Sequence, residues 1–509
     1  MILLVHRKEK VIKIVDCNSN KLLSSPFEKP LHVLFYLANR FQNSLLIWCH
    51  ESVEANVNFE AIKSSFKLKN TLLSYSKTNY IPEQIGYVED SPFIKVNTSV
   101  KYPTWLISSL VGVIHTSQIT QFEKIVNKSD TFDFGLNSIA KLGMSQGLFC
   151  YSDPGLIEGN SNIKPKRAST YNLFKFVKQH YKGVWGFLLL LNFIVNEKKF
   201  PLVSFLRTLF VKRKTPILNF DLEPLEKIEA KAKSTIDVII PTIGRSEHVY
   251  NFLKDLEAQS HKPKLVIIVE QNKNVNSVSN LDFIKTEIWS FEIIHKFIHQ
   301  TGACNARNLA LEEVKSDYTF LADDDIRIQE NFLDSVLKKM QRLGLSATTL
   351  SCLGVNDIKS LNKTVQWTAF GSGCSVVKST EHEGIKFDLK YEFGYGEDVD
   401  FGMQLRNKGV DIIYLPSPEI VHLKAPIGGF RTKFTHPWET DELLPKPSPT
   451  VMLNRMQNST GQQLLGYRTT LFLKYYRQQD IKNPFKYYSK FKKQWLVSKT
   501  WANRLDNNL

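Results

Sequence analysis

Three carboxylates stand in a row at Asp323, Asp324 and Asp325, directly after the stretch YTFLA. Like charges repel at that spacing. Helix N-capping absorbs one or two of them, because an aspartate there satisfies orphan amides and suits the helix dipole. A third consecutive acid needs a cation to hold its charge, and hard oxygen ligands of this kind suit Mg2+ or Mn2+ bridging a diphosphate.

A second acidic point lies in GYGEDVDFGMQLRNKG, from Gly394. Its glycines leave room for a ligand to approach, and Glu397 and Asp398 open a helix whose other face carries Phe401 and Leu405. Near a substrate, such a pair can accept a proton from an attacking hydroxyl, whereas a helix cap needs only one acid. His422 closes the next strand in PEIVHLKAP, which should run beside the aspartates and makes it a candidate ligand as well as an ordinary packed histidine. TGACNARN supplies Gly302, Arg307 and Asn308 at a helix start, where backbone amides and a guanidinium suit a diphosphate.

These residues need a scaffold that brings strand ends together. DVIIPTIGR reads as a buried strand ended by a turn, VYNFLKDLEAQ as an amphipathic helix and LVIIVEQN as a second continuous apolar strand. Strand, helix and strand in that order make a βαβ unit and a parallel sheet covered on both faces. The alternation continues through the helix TGACNARNLALEEVKS, the strand YTFLADDD and the helix NFLDSVLKKMQRLG. Open α/β sheets bind ligands at the carboxyl ends of their strands, where Asp323–Asp325 fall.

Together, DVIIPTIGR, LVIIVEQN, GACNARN, LADDD and GYGEDVDFGMQLRNKG with a downstream histidine resemble the family 2 glycosyltransferases of GT-A fold. The GYGED segment is also similar to the corresponding motif of β-galactosyltransferase and polypeptide GalNAc-transferase type enzymes. The resemblance covers residues 235–435. It implies a Rossmann-like GT-A domain, a nucleotide-diphosphate sugar donor, a divalent metal and inversion at the anomeric carbon. By position it puts Pro241, Thr242 and Arg245 in the nucleotide pocket, Arg307 near the base or diphosphate and Asp323 toward the ribose, with Asp324 and Gly302 also on the donor. It makes Asp325 a metal ligand with Asp323 and His422 beside it, Asp398 the catalytic base and Glu397 the residue that orients the acceptor. The family's second strand commonly ends in Asp-Asp or Asp-Gly, whose first aspartate reads the base; here Glu270 and Gln271 stand there, so the resemblance makes Glu270, a longer acid, the nucleotide-binding residue at that place and loosens the expectation of uridine.

The 509 residues call for more than one domain. The expected division is an α/β domain at 1–165, a helical linker region at 166–234 opened into the next domain by the charged segment EPLEKIEAKAKS, the transferase domain at 235–435, and a basic, aromatic, helical extension at 436–509. The first domain echoes the third: SLLIWCHESVEANVNFEAIK from Ser44 can be laid beside KLVIIVEQNKNVNSVSNLDFIK from Lys264, and DFGLNSIAKLGMSQGLFCYSDPGLI from Asp133 beside DFGMQLRNKGVDIIYLPSPEIV from Asp400. Lacking a triple acid, it reads as a degenerate, non-catalytic copy. VWGFLLLLNFIV, from Val184, is too short to span a bilayer and reads as a buried interdomain helix, with an interfacial helix as the alternative.

Net charge is +16, and the 46 residues from Leu464 to Leu509 hold ten Lys or Arg against two Asp. That tail interleaves aromatics with lysines and suits anionic headgroups at a membrane, a solvated face or an intramolecular clamp. No zinc-finger, RNP-like or recognition-helix pattern accompanies the charge, so nucleic acid is not an expected partner. Six scattered cysteines and the lack of a signal-peptide pattern in MILLVHRKEK predict free thiols and a cytoplasmic location, at the inner face of the membrane if the tail binds lipid. The expected activity moves a sugar from a nucleotide-diphosphate donor, a UDP-sugar first, to a glycan or lipid-linked saccharide in cell-surface polysaccharide synthesis, with Mn2+ or Mg2+. A nucleotidyltransferase and a non-catalytic sugar-binding or scaffold protein are the rival readings.

Overall fold

The computed structural model describes residues 1–159, 166–220, 222–225, 234–424 and 434–507. The segment EPLEKIEAKAKS lies mostly outside them. Contacts divide the chain into two compact units, Met1–Lys227 with Ser459–Asp480 and Ile228–Asn458 with Ile481–Leu509. The stretch 436–509 is thereby shared between both units, and 166–227 belongs to the first.

The second unit is built on one sheet. Its strands follow the order Glu292–Ile298, Leu265–Gln271, Ile236–Ile243, Tyr318–Ala322, Cys374–Lys378, Ala347–Gly354, Ile412–His422 and Ile326–Arg327. The first four run parallel, as continuous apolar runs predict, because helices cover both faces and leave the inner strands no solvated side. Cys374–Lys378 is inserted antiparallel between Tyr318–Ala322 and Ala347–Gly354. Buried Asp237 accepts from the amides of Lys315 and Ser316 at 2.7 and 2.8 Å, which fixes the turn that launches Tyr318–Ala322. The central strands therefore deliver Ile243, Gln271 and Ala322 to one edge of the sheet.

In the first unit the order is Lys21–Leu23, Lys10–Asp16, Ile2–Arg7, Leu45–His50, Val111–His115, Thr71–Tyr75, Phe149–Ser152 and Tyr102–Pro103. Five of these, Ile2–Arg7 through Phe149–Ser152, repeat in order, sense and chain sequence the five from Ile236–Ile243 to Ile412–His422: parallel, antiparallel, antiparallel, parallel. The two sheets differ beyond the first of the five. There the second unit adds two parallel strands, and the first unit adds an antiparallel hairpin.

This topology corrects half of the internal echo. Leu45–His50 takes the place of Tyr318–Ala322, not of Leu265–Gln271, because the hairpin occupies the position of the latter; two short apolar strands followed by polar residues are interchangeable by pattern alone. The other half fits in its elements and not in its register: helix Phe132–Met144 leads into Phe149–Ser152 as helix Glu397–Asn407 leads into Ile412–His422, but the helix starts set Asp133 level with Asp398, two residues before the Asp400 that the shared DFG suggests.

Two further segments differ from or refine expectation. Val184–Glu197 is a helix of the first unit, and only Leu189, Asn192 and Phe193 are buried on it, so it is not an enclosed interdomain helix. Within the second unit, helix Pro484–Asn507 buries Tyr487, Phe491 and Trp495. Its Gln494 and Ser498 donate to the carbonyls of Leu444 and Pro447, contacts of the kind an intramolecular clamp makes, while Lys486, Lys490, Lys492 and Lys493 stay exposed. Among the described residues, no helix is long and apolar enough to cross a membrane.

Candidate active site

A cavity of about 570 Å³ opens at the carboxyl edge of the second unit's sheet. Asp323, Asp324 and Asp325 line it where Tyr318–Ala322 ends. The three diverge at once. Asp324 turns inward, where Thr242 Oγ1 donates to it at 2.7 Å and Arg245 Nη1 at 2.5 Å. Burial pushes its carboxyl up to about 6, with Arg245 pulling the other way. It serves as a pin that fixes its two neighbours.

Those neighbours meet His422. The short strand Ile326–Arg327 pairs with the end of Ile412–His422 in the register Ile326 to His422, and Leu423 donates its amide to the Asp325 carbonyl at 2.8 Å. His422 Nε2 thereby comes 3.3 Å from Asp325 Oδ1. One ligand atom each from Asp323, Asp325 and His422 lies within 4.8 Å of the others, the sole such cluster among the described residues. Two carboxylates and an imidazole fit a divalent ion, and the nitrogen donor suits Mn2+ better than Mg2+, which prefers all-oxygen shells.

The opposing wall comes from Tyr391–Asp398. Helix Glu397–Asn407 starts at Gly396, whose φ of +125° is open to glycine alone without strain. Glu397 and Asp398 are both held inside the cavity wall. Burial, then the charge of Asp398, pushes Glu397 up to about 7, and burial raises Asp398. Ser372 hydrogen-bonds to Asp398, while its Oδ1 is buried with no hydrogen-bond partner. A buried, unpaired carboxylate oxygen is costly unless something binds there.

Arg307 links the two walls. It donates to Asp323 Oδ1 at 3.1 Å, and although burial works against its charge, Asp323, Asp398 and Glu397 outweigh that and raise its pKa. Pro241, Thr242, Arg245 and Gly302 also line the cavity. Glu270 does not: Ser279, Asn280 and His295 hold its carboxylate, at 2.5, 3.2 and 2.9 Å, and the lining residue from that strand is Gln271. Side chains alternate along a strand, so only one of this pair reaches the cavity.

Pattern reasoning missed the supports. Glu392 accepts from the amides of Cys304 and Asn305 at 3.0 and 2.9 Å, occupying the helix start expected to bind a diphosphate. Helix Pro449–Asn458 braces the glycine loop: Thr450 Oγ1 accepts from Tyr395 N at 3.1 Å, Asn454 donates to Gly396 O at 3.1 Å and Asn458 to Asp400 at 3.2 Å. Nothing in PTVMLNRMQN marks it for that role. Ser372 and Gly373 carried a faint signal, two small residues in GSGC just before a strand.

The first unit keeps the frame and loses the ligands. Leu45 pairs with His115 as Tyr318 pairs with Lys378, so His50 corresponds to Asp323. Its amide donates to the Leu110 carbonyl at 2.8 Å as that of Asp323 does to Gly373 at 3.2 Å. Asp133, second in its helix like Asp398, accepts from Ser109 N at 2.8 Å in the way Asp398 is held by Ser372. Glu51 and Ser52 then stand for Asp324 and Asp325 and Phe132 for Glu397, which leaves one carboxylate of the pair and, among the described residues, no metal set.

Residues 237–399 match the glycosyl transferase family 2 model. No curated protein matches the chain. Among solved structures, S. aureus TarS 1-349 in complex with UDP-GlcNAc is similar at 16% identity and a TM-score of 0.38, over 53% of this chain and 81% of that one. The longer S. aureus TarS chain gives 15% and 0.34 over 49% of this chain, which spans only 44% of it. GalNAc-T7 with UDP, GalNAc and Mn2+ gives 10% and 0.33, over 38% and 44%. With that family match on a sheet of this topology, residues 237–399 form a family 2 glycosyltransferase domain of GT-A fold.

Proposed function

We propose that the protein is an inverting, metal-dependent glycosyltransferase that moves a sugar from a nucleotide-diphosphate donor to a hydroxyl of a glycan or lipid-linked saccharide, in the building of a cell-surface polysaccharide. The observation that carries this reading is the pairing, across one cavity, of the Asp323, Asp325 and His422 ligand set with an unpartnered buried oxygen of Asp398. A divalent ion held by those three residues would neutralise the charge that develops on the departing nucleoside diphosphate.

The chain's own groups account for the rest. Arg307 adds a fixed positive charge beside Asp323, on the donor side. Asp398 takes the proton of the acceptor hydroxyl as its oxygen attacks the anomeric carbon, and displacement from the opposite face inverts that carbon. Glu397, raised to about 7 and so protonated below neutrality, donates in that form a hydrogen bond that orients the acceptor. With Glu270 engaged elsewhere, recognition of the base falls to the other lining residues, and a UDP-sugar is the first donor to try.

Incubation with a panel of nucleotide sugars and Mn2+, followed by assay of nucleoside diphosphate, tests the reading. Release from one donor, abolished by EDTA and by Asp325→Asn, is expected, with NMR of the product reporting the opposite anomer. Pyrophosphate in place of nucleoside diphosphate would identify a nucleotidyltransferase, and retention of configuration would remove Asp398 as the base.

A further inference from the structure

We infer that the first unit carries a membrane-docking surface for anionic lipid, formed by residues 182–213. Helix Val184–Glu197 and helix Leu202–Thr208 are pinned to the unit by Phe193 and Phe205, whose rings pack on Phe174 with centroids 5.8 and 6.0 Å away. Phe187 meets Phe205 at 5.0 Å, which joins the two helices. With those inward contacts made, the remaining faces are apolar and open: Phe187 is 59% exposed, Phe200 70%, Val203 71% and Phe210 91%. Scattered exposed apolar residues need no explanation. A run of large ones within a few turns marks an interaction surface.

Charge identifies the partner. Lys182, Lys198, Lys199, Arg207, Lys212 and Arg213 are exposed around these residues, and Glu197 is the one acid from 182 to 213, already bound by Lys199 and Tyr87. A second copy meeting this face across a twofold axis would bring like charges together at a cost. An anionic bilayer offers the complement of both features: headgroups for the cations and acyl chains for the aromatic and aliphatic side chains. The geometry is in-plane. The longer helix has 14 residues, or about 21 Å at 1.5 Å per residue, against roughly 30 Å of hydrocarbon to span. Lysines bracket it at both ends. The surface shares no residue with helix Pro484–Asn507, which buries Tyr487, Phe491 and Trp495 within the second unit. It does not depend on the transfer reading.

The test is co-sedimentation of the full chain with vesicles of phosphatidylcholine alone or with phosphatidylglycerol at about 3:1. Three variants run in parallel. One carries Phe200→Ser, Val203→Ser and Phe210→Ser; another carries Lys182→Glu, Arg207→Glu, Lys212→Glu and Arg213→Glu; the control carries Lys490→Glu, Lys492→Glu and Lys493→Glu in the C-terminal helix. All are surface positions, so circular dichroism and thermal melts should match wild type. Expected are binding to the anionic vesicles only, a loss of about tenfold or more in the first two variants, and little change in the third. Absence of binding, loss confined to the C-terminal variant, or a first variant that instead converts a dimer to a monomer in sedimentation velocity would each overturn the proposal.

Discussion

Gly373 lies against Asp323 so closely that a Cβ atom there would sit 2.1 Å from Asp323 Oδ2. The Gly373 carbonyl also accepts the Asp323 amide at 3.2 Å, so the backbone cannot retreat freely. Gly373→Ala should therefore turn the carboxylate aside and leave the sheet intact. The expected outcome is an apparent Mn2+ affinity reduced by about tenfold or more, with a melting temperature close to wild type. Metal titration monitored by activity, beside a thermal melt, separates the two.

Arg245 and Asp324 form a buried charge pair, Nη1 to Oδ1 at 2.5 Å. Arg245→Ala strands the Asp324 carboxylate in a site whose burial already pushes it up to about 6. Breaking such a pair costs about 3–5 kcal/mol, while removing both charges is often close to neutral. Denaturant unfolding should show Arg245→Ala strongly destabilised at pH 8 and Arg245→Ala/Asp324→Asn recovering most of the loss. Equal destabilisation in both variants would mean that Arg245 contributes through packing.

Asp398 must be ionised to take a proton, and burial raises its pKa above the ordinary carboxylate value. A raised carboxylate loses its charge earlier as pH falls, so kcat should decline on the acid side at a pH above that of an exposed aspartate. Asp398→Asn should lower kcat by about 10²–10⁴ and abolish that limb. Glu397 stands at about 7, so below neutrality it already carries a proton. Glutamine reproduces that form, and Glu397→Gln should keep kcat within about tenfold while shifting the acceptor KM. A Glu397→Gln variant as inert as Asp398→Asn would exchange the two roles.

What could be read from the residues was what depends on local chemistry. Continuous apolar strands, the aspartate trio and the glycine-led helix starts each state their own place, and Asp323, Asp325 and His422 do meet. Roles that depend on a distant partner were silent. Whether Asp324 coordinates or pins is decided by Thr242 and Arg245, some 80 residues upstream, and whether Gly302 faces an anion is decided by Glu392. Register was equally hidden: nothing in SLLIWCHES tells which strand of the other sheet it repeats, because only the hairpin Lys10–Asp16 with Lys21–Leu23 excludes the alternative.

Asp133 provides the sharpest contrast between the two sheets. It holds the position of Asp398 on its own frame, and burial pushes it up to about 6. In the unfolded chain an aspartate titrates near 4, so the folded state binds the proton more tightly by roughly 2 units, about 3 kcal/mol. With a raised carboxylate, that stability is fully present below about pH 4 and is lost as pH rises through about 6. Asp133→Asn keeps an oxygen for the Ser109 amide and removes the buried charge. It should raise the melting temperature by several degrees at pH 8, and hardly at all at pH 4. Because no ligand set surrounds it among the described residues, donor turnover should be unchanged, as in His50→Ala. Loss of turnover in a folded Asp133→Asn protein would mean that the first unit takes part in catalysis after all.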